Sequence, residues 1–134
     1  MEVKVSTETG RVPVTVIHVD GNIDASTYEA FKAAVDKEIK DGAQYILVDL
    51  SHAPFISSAG LRALNDIFNR LRTLHPDANL SEEEIKKGIG AGTYKSPHLK
   101  ILNLSDNART SFEMSGFDMF LESYTDRSKA IASF

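Results

Sequence analysis

The chain opens on two runs of alternating apolar and polar positions. Val3 to Ser6 is the first, and "VPVTVIHV", Val12 to Val19, is the second and richer in β-branched residues. Period-two alternation marks half-buried strands, and Thr9-Gly10-Arg11 between the runs reads as the turn of a hairpin. Pro13 sits near the start of the second strand, where a missing amide is tolerated. After Asp20-Gly21-Asn22 the period changes. Ala25, Tyr28, Phe31, Ala34, Val35 and Ile39 recur at helical spacing, with an N-cap expected within Asp24 to Ser26 and a stop at Asp41-Gly42. "YILVDL", Tyr45 to Leu50, is nearly continuous in apolar residues, as suits a strand covered on both faces. Leu61, Leu64, Ile67, Phe68, Leu71 and Leu74 then describe a second amphipathic helix, closed by His75-Pro76.

From Asp77 to His98 the chain is polar and glycine-rich, with room for one short helix in Ser81 to Lys87. "LKILNL", Leu99 to Leu104, predicts a further strand. Asp106 or Asn107 caps a helix running to Met114, and Gly116 ends it. Met119 to Tyr124 predicts a last strand, and Asp126 caps a short helix from Arg127 to Phe134. The predicted order is ββαβαβαβα. Alternating strands and helices imply an α/β layer with parallel pairing. One domain, residues 1–134, with a loop insertion at about 77–98, accounts for the length.

Composition narrows the chemistry. With 134 residues, 42% hydrophobic and 25% charged, the chain can bury a core without staples. It has no cysteine, which removes disulfides, thiolate metal sites and cysteine nucleophiles and fits a reducing compartment. A net charge of −4 and the lack of a basic stripe argue against nucleic-acid binding. No signal-peptide pattern opens the sequence and no apolar run is long enough to span a bilayer, so a cytoplasmic protein is expected.

The most telling stretch is "DLSHAPFISSAGLRALNDIFNRLR", Asp49 to Arg72, where a strand passes into a helix through Ser57-Ser58-Ala59-Gly60. A helix cap needs one serine, and this junction has two. Three segments resemble one family. "DGNIDAST", Asp20 to Thr27, is similar to a Gly-x-(Ile/Leu)-Asp turn. "VDLSHAPFISSAGLRAL", Val48 to Leu64, is similar to the family's central signature. "KILNLSDNARTSFEMSGFDMFLE", Lys100 to Glu122, is similar to its closing strand, helix and Ser-Gly-Phe/Leu turn. The chain thus resembles the STAS domain, in particular the stand-alone anti-sigma factor antagonists of bacteria. The resemblance implies a mixed sheet of about five strands with helices mainly on one face.

It also implies a mechanism. Such antagonists bind an anti-sigma factor that is also a serine kinase of the histidine-kinase-like ATPase type, and so release a sigma factor. The kinase phosphorylates the antagonist at the start of the second helix, and a serine phosphatase reverses the modification. In the family the acceptor follows an acidic residue, in the pattern Asp-Ser-(Ser/Thr)-Gly-Leu. Aligned on Gly60-Leu61, the acceptor is Ser58 and the acidic position holds Ser57, a departure from the pattern. The partner-binding set implied is Asn22, Asp24, Ser57, Ser58, Ala59, Gly60 and Arg62.

Each of these residues also has a plainer reading. Ser57 or Ser58 serves as N-cap, worth about 1 kcal/mol. Asp24 caps the first helix, or it orients Ser58, meets the kinase and replaces acidity absent at position 57. Gly60 permits close packing or an unusual backbone angle. Arg62 is a solvated charge or a contact to an acidic surface. Asn22 serves the turn. "GIGAGTYK", Gly88 to Lys95, fails the phosphate-loop test, since no Gly-Lys-Ser/Thr follows and no strand and helix flank it. The histidines at 18, 52, 75 and 98 have no metal-ligand spacing, and no Gly-x-Ser-x-Gly motif is present. No cofactor and no enzyme are expected. The alternative function is a STAS scaffold or regulatory module that is not phosphorylated and binds another kinase or sensor.

Overall fold

The computed structural model describes residues 1–76 and 80–134. β1 (Glu2–Thr9) and β2 (Pro13–Asp20) form an antiparallel hairpin whose pairs run from Thr9↔Pro13 to Glu2↔Asp20. β3 (Ile46–His52), β4 (Leu99–Leu102) and β5 (Ser123–Tyr124) add in parallel, giving a five-stranded mixed sheet in the order β1-β2-β3-β4-β5. The helices are α1 (Tyr28–Lys40), α2 (Ser58–Leu74), α3 (Glu82–Ala91), α4 (Asp106–Met114) and α5 (Arg127–Ser133).

The two-residue period of the strands sorts their side chains between two cores. Ile17, Val19, Ile46, Val48, Leu50, Leu99 and Ile101 face α1, α2, α3 and α4 and meet Phe31, Val35, Leu64, Ile67, Ile85 and Phe112. Each large side chain so buried contributes about 1.5–3 kcal/mol. Val14, Val16, Leu47 and Leu102 face the other way and are covered by Ala130 and Ile131 of α5. Four helices therefore share the front of the sheet and one short helix covers part of the back.

Lys100 fixes α5 in place. It is 4% exposed on the back face. Its ammonium donates to the Ser133 carbonyl at 2.9 Å and to Ser133 Oγ at 3.0 Å, pairs with Glu122 at 3.4 Å, and lies 4.9 Å from the Phe134 ring centre. The cation thus meets the carbonyl end of the helix, where the backbone dipole favours positive charge.

Four local features depart from the expected elements. The short helix expected within Ser81 to Lys87 is present but runs longer, Glu82–Ala91. Ser81 and Glu84 form a reciprocal capping box, Ile85 packs into the core, and the helix runs through Gly88 and Gly90 to a left-handed Gly92. A Cβ on Gly88 would lie 2.8 Å from Tyr94 Cβ, so the glycine admits Tyr94, whose ring packs edge-on to Phe68. Residues 77–79 of the expected loop lie outside the described residues.

The expected strand Met119 to Tyr124 is mostly not strand. Gly116 (φ +80°) turns the chain into a 3-10 turn, Phe117–Met119, that places Phe117 5.7 Å from Phe112 and 5.3 Å from Phe120. Three-residue spacing of aromatics suits that packing better than strand alternation, and β5 keeps two residues. The cap of α4 is Ser105 rather than Asp106 or Asn107, with Ser105 Oγ accepting from Ala108 N–H at 3.0 Å. The first helix begins at Tyr28, after Thr27, and the Asp24 side chain closes the preceding turn instead of capping it.

Candidate docking site at the head of the second helix

Two connections meet at the C-terminal end of the sheet, the β2–α1 turn and the β3–α2 loop. They are stitched together by backbone. Ile23 N–H donates to the Phe55 carbonyl at 3.1 Å, Ser57 N–H donates to the Ile23 carbonyl at 2.9 Å, and Ile23 and Ile56 form a parallel bridge. Gly21 N–H adds a bond to the His52 carbonyl at 2.9 Å. A third element anchors the loop from the other side, because Ser105 Oγ donates to the Pro54 carbonyl at 2.6 Å. Ala53 and Ile56 are buried while Phe55 between them is 44% exposed. The loop is pinned, yet it presents an aromatic ring.

Ser57 is the N-cap of α2. Its φ and ψ are extended and its Oγ accepts from Gly60 N–H at 3.4 Å. Ser58 is the first helical residue and is exposed, and its hydroxyl has no protein partner among the described residues. The two serines therefore differ, since Ser57 caps the helix and Ser58 presents an exposed hydroxyl. Ala59 is half-buried and Gly60 fully so. A Cβ on Gly60 would lie 2.8 Å from the Ile23 carbonyl oxygen, 2.8 Å from Ile56 Cγ2 and 2.9 Å from Ile23 Cγ2. Of the two roles expected for Gly60, close packing is the one found. The helix start needs a glycine in order to lie against the Ile23–Ile56 bridge.

Arg62 lies one turn beyond Ser58, exposed, and no carboxylate pairs with it among the described residues. Its neighbours along the α1–α2 seam are matched, Lys32 with Asp66 at 3.5 Å and Arg70 with Asp36 at 3.3 Å.

The β2–α1 turn supplies the other two expected residues. Asn22 is exposed, and its carbonyl accepts from Thr27 Oγ1 at 2.7 Å. Asp24 Oδ1 accepts from Ser26 N–H at 2.9 Å, from Ser26 Oγ at 2.6 Å and from Thr27 Oγ1 at 3.2 Å. These bonds, those from Ser26 above all, hold the Asp24 carboxyl below the ordinary value of 3.8. It is an ionised, turn-forming residue that accepts hydrogen bonds from its own turn. The Ile23↔Ile56 pairing puts Asp24 and Ser57 next in register.

The STAS domain family model matches residues 4–75, more than half of the chain. The chain belongs to the STAS domain family. Solved structures agree on the fold. An anti-sigma factor antagonist from Mycobacterium paratuberculosis is 20% identical, with a TM-score of 0.68 over 98% of this chain and 93% of that one. The anti-sigma factor antagonist SpoIIAA in its unphosphorylated form is 17% identical, with a TM-score of 0.61 over 97% and 94%. The phosphorylated form of the Bacillus cell fate determinant SpoIIAA is 18% identical, with a TM-score of 0.60 over 96% of each chain. No curated protein sequence matches the chain.

Among the described residues this STAS domain has no helix long and apolar enough to cross a membrane and no group of three or more His, Cys, Asp or Glu placed to hold a metal ion. His75 and His98, far apart in sequence, come to 5.4 Å between ring centres. The Ile23–Ile56 bridge and the Ser105 anchor escaped the sequence reading. Ile23 falls between two turn residues, and Ser105 stands just before a better-looking aspartate.

Proposed function

We propose that this STAS domain is an anti-sigma factor antagonist. It binds an anti-sigma factor that is also a serine kinase of the histidine-kinase-like ATPase type, and phosphorylation of Ser58 switches it off. The observation that supports this reading is the division of labour at the head of α2. Ser57 caps the helix, so the exposed Ser58 hydroxyl is free to accept phosphate. A helix of 17 residues gathers unpaired amides and partial positive charge at that end, which favours a phosphate on the protein itself. The same phosphate adds roughly −1.5 to −2 charge to a contact surface. A kinase bound over Phe55, Ser58 and Arg62 would have to desolvate that charge, so one modification releases the partner. Asn22 and Asp24 border the same surface from the next turn, and a serine phosphatase resets the switch.

One observation favours a second reading. The position that is acidic in the family pattern is Ser57, and here it is committed to capping. A STAS scaffold that is never phosphorylated and binds another kinase or sensor would need no acidic residue there. Incubation with ATP and a candidate kinase, followed by phosphopeptide mapping with Ser58→Ala alongside, decides between them. Phosphate on Ser58 with loss of kinase binding supports the switch. Tight kinase binding without phosphate indicates an unswitched antagonist, and neither binding nor phosphate favours the scaffold.

A further inference from the structure

A second polar cluster lies on the back of the sheet, beyond the part that α5 covers. The strand registers Lys4↔His18 and His18↔Asp49 set β1, β2 and β3 side by side there. Ser6 Oγ lies 2.9 Å from His18 Nε2, and His18 Nδ1 lies 3.1 Å from Asp49 Oδ2. Asp49 accepts at Nδ1, so a neutral imidazole keeps its proton on that nitrogen and turns the Nε2 lone pair to the serine hydroxyl. The carboxylate is oriented in turn. Asp49 Oδ1 accepts from Ser51 N–H at 3.0 Å and from the Ser51 hydroxyl, and Asn103 Nδ2 donates to Ser51 Oγ at 2.8 Å. Burial pushes the Asp49 carboxyl up, but the bonds from Ser51 and His18 outweigh it and hold it below 3.8. The side chain of His18 is 30% exposed and that of Asp49 15%, so the base is reachable while its orienting carboxylate is sheltered.

Nucleophile, base and orienting carboxylate in this connection order are the working parts of serine acyl transfer. They are contributed by three separate strands, which is why no sequence motif announces them. Beside His18 is a cavity of about 250 Å³, lined also by Glu2, Lys4, Val19, Asp20 and His52 and not by Ser6. Glu2 and Asp20 bring two carboxylates to that cavity, which disfavours an anionic substrate.

We propose that Ser6, His18 and Asp49 form a reactive triad that is acylated by small, uncharged activated esters. Ser6 Oγ bonds to the ester carbonyl carbon as its proton passes to His18 Nε2. The bond from that carbon to the leaving oxygen breaks, and the leaving oxygen takes the proton from His18. Water, deprotonated by His18, then attacks the acyl-Ser6 ester, which releases the carboxylic acid and restores the serine. Ser6 and His18 are the catalytic residues, and Asp49 is a positioning residue.

The test uses p-nitrophenyl acetate, following nitrophenolate release and mapping the acetylated peptide by mass spectrometry. Acetyl on Ser6 is expected, absent in Ser6→Ala and formed at least roughly 100-fold more slowly in His18→Gln, the low end of what a general base supplies. Acetylation confined to lysines or the N-terminus, or an unchanged rate in Ser6→Ala, would overturn the proposal. A second measurement is independent of any ester. The chain has no cysteine, so Ser6→Cys introduces a single thiol. Its alkylation by iodoacetamide is expected to be at least tenfold faster than in the Ser6→Cys/His18→Gln double variant, to order of magnitude, and equal rates would refute activation by His18. For Asp49, the imidazole ¹⁵N shifts of His18 should show the Nδ1–H form in the parent protein and lose that preference in Asp49→Asn together with the rate. Unchanged shifts and rate would remove Asp49 from the triad.

Discussion

Replacing Gly60 by alanine tests the packing account of the candidate docking site. In a helix interior the change should help, because alanine is favoured over glycine by roughly 0.8–1 kcal/mol. At this position the added methyl would sit 2.8 Å from the Ile23 carbonyl oxygen and 2.8 Å from Ile56 Cγ2. Neither is the loose end of a long side chain. The Ile23 oxygen is backbone and accepts the Ser57 N–H bond, so moving it weakens the stitch between the two loops. Overpacking costs about 1–3 kcal/mol and a strained hydrogen bond about 1 kcal/mol more. Set against the propensity gain, the net expectation is a loss of roughly 1–3 kcal/mol, read as a fall in urea midpoint at unchanged m-value. Gly90 is the matched control. It is also helical, and nothing lies within 4 Å of its would-be Cβ, so Gly90→Ala should hold or gain up to about 1 kcal/mol. If Gly60→Ala proved as stable as Gly90→Ala, the close approach of α2 to the Ile23–Ile56 bridge would be wrong.

Ser58→Asp should weaken binding to a candidate kinase at least tenfold relative to Ser58→Ala, by titration calorimetry, on the order of one 1.4 kcal/mol step; equal affinities would contradict the switch. Lys100→Met keeps the aliphatic stem but removes the charged donor to Ser133. It should cost about 1.5–3 kcal/mol and speed amide exchange in α5 before it does so in α2, whereas exchange rising equally in both would argue against a local clasp. Asp49 titrates lower when folded than the ordinary 3.8, so in acid the folded protein binds fewer protons than the unfolded chain. Its contribution is therefore complete above the unfolded value and is lost as pH falls through the folded one. Stability measured below about pH 4 should fall less steeply in Asp49→Asn than in the parent protein, and an identical slope would exclude the carboxylate as a source of acid sensitivity.

Much of the front core was legible because period alone reports it. Val19 stands between polar His18 and Asp20, and Leu61, Leu64, Ile67 and Phe68 repeat on one helix face. The STAS resemblance was readable for the same reason, since Val48 to Leu64 combines a buried strand with a glycine that the packing requires. Ser57 and Ser58 were legible as a cap and a free hydroxyl, while their assignment to those roles needed the extended backbone at Ser57. What stayed hidden depends on contacts distant in sequence. Asp24 looked like a helix cap because aspartate suits one, but Thr27 stands closer to the first helical turn and the carboxylate is used up in a tight turn before it. The α3 helix was understated because Gly88 and Gly90 weaken it locally, and its support comes from Tyr94 packing where a side chain would have clashed. Leu74 fits the α2 periodicity yet is 52% exposed, since it falls at the last turn, past the edge of the core. The Ser6–His18–Asp49 line spans three strands, and pairing register alone brings it together.

The order β1-β2-β3-β4-β5 has a consequence for how the chain reaches this state. Every strand pairs with its neighbour in sequence, so the sheet can grow from one edge without inserting a strand between two that are already joined. The hairpin closes over a short turn, and each parallel addition then closes one loop that its own helix has already shortened. Folding during synthesis can follow the same direction as the ribosome, with β1 to α2 forming a sheet-and-helix unit before β4 and β5 emerge. The last steps are the addition of a two-residue strand and the docking of α5 on Lys100. The C-terminal end is therefore expected to be the last part to gain protection from exchange during refolding, and the first to lose it.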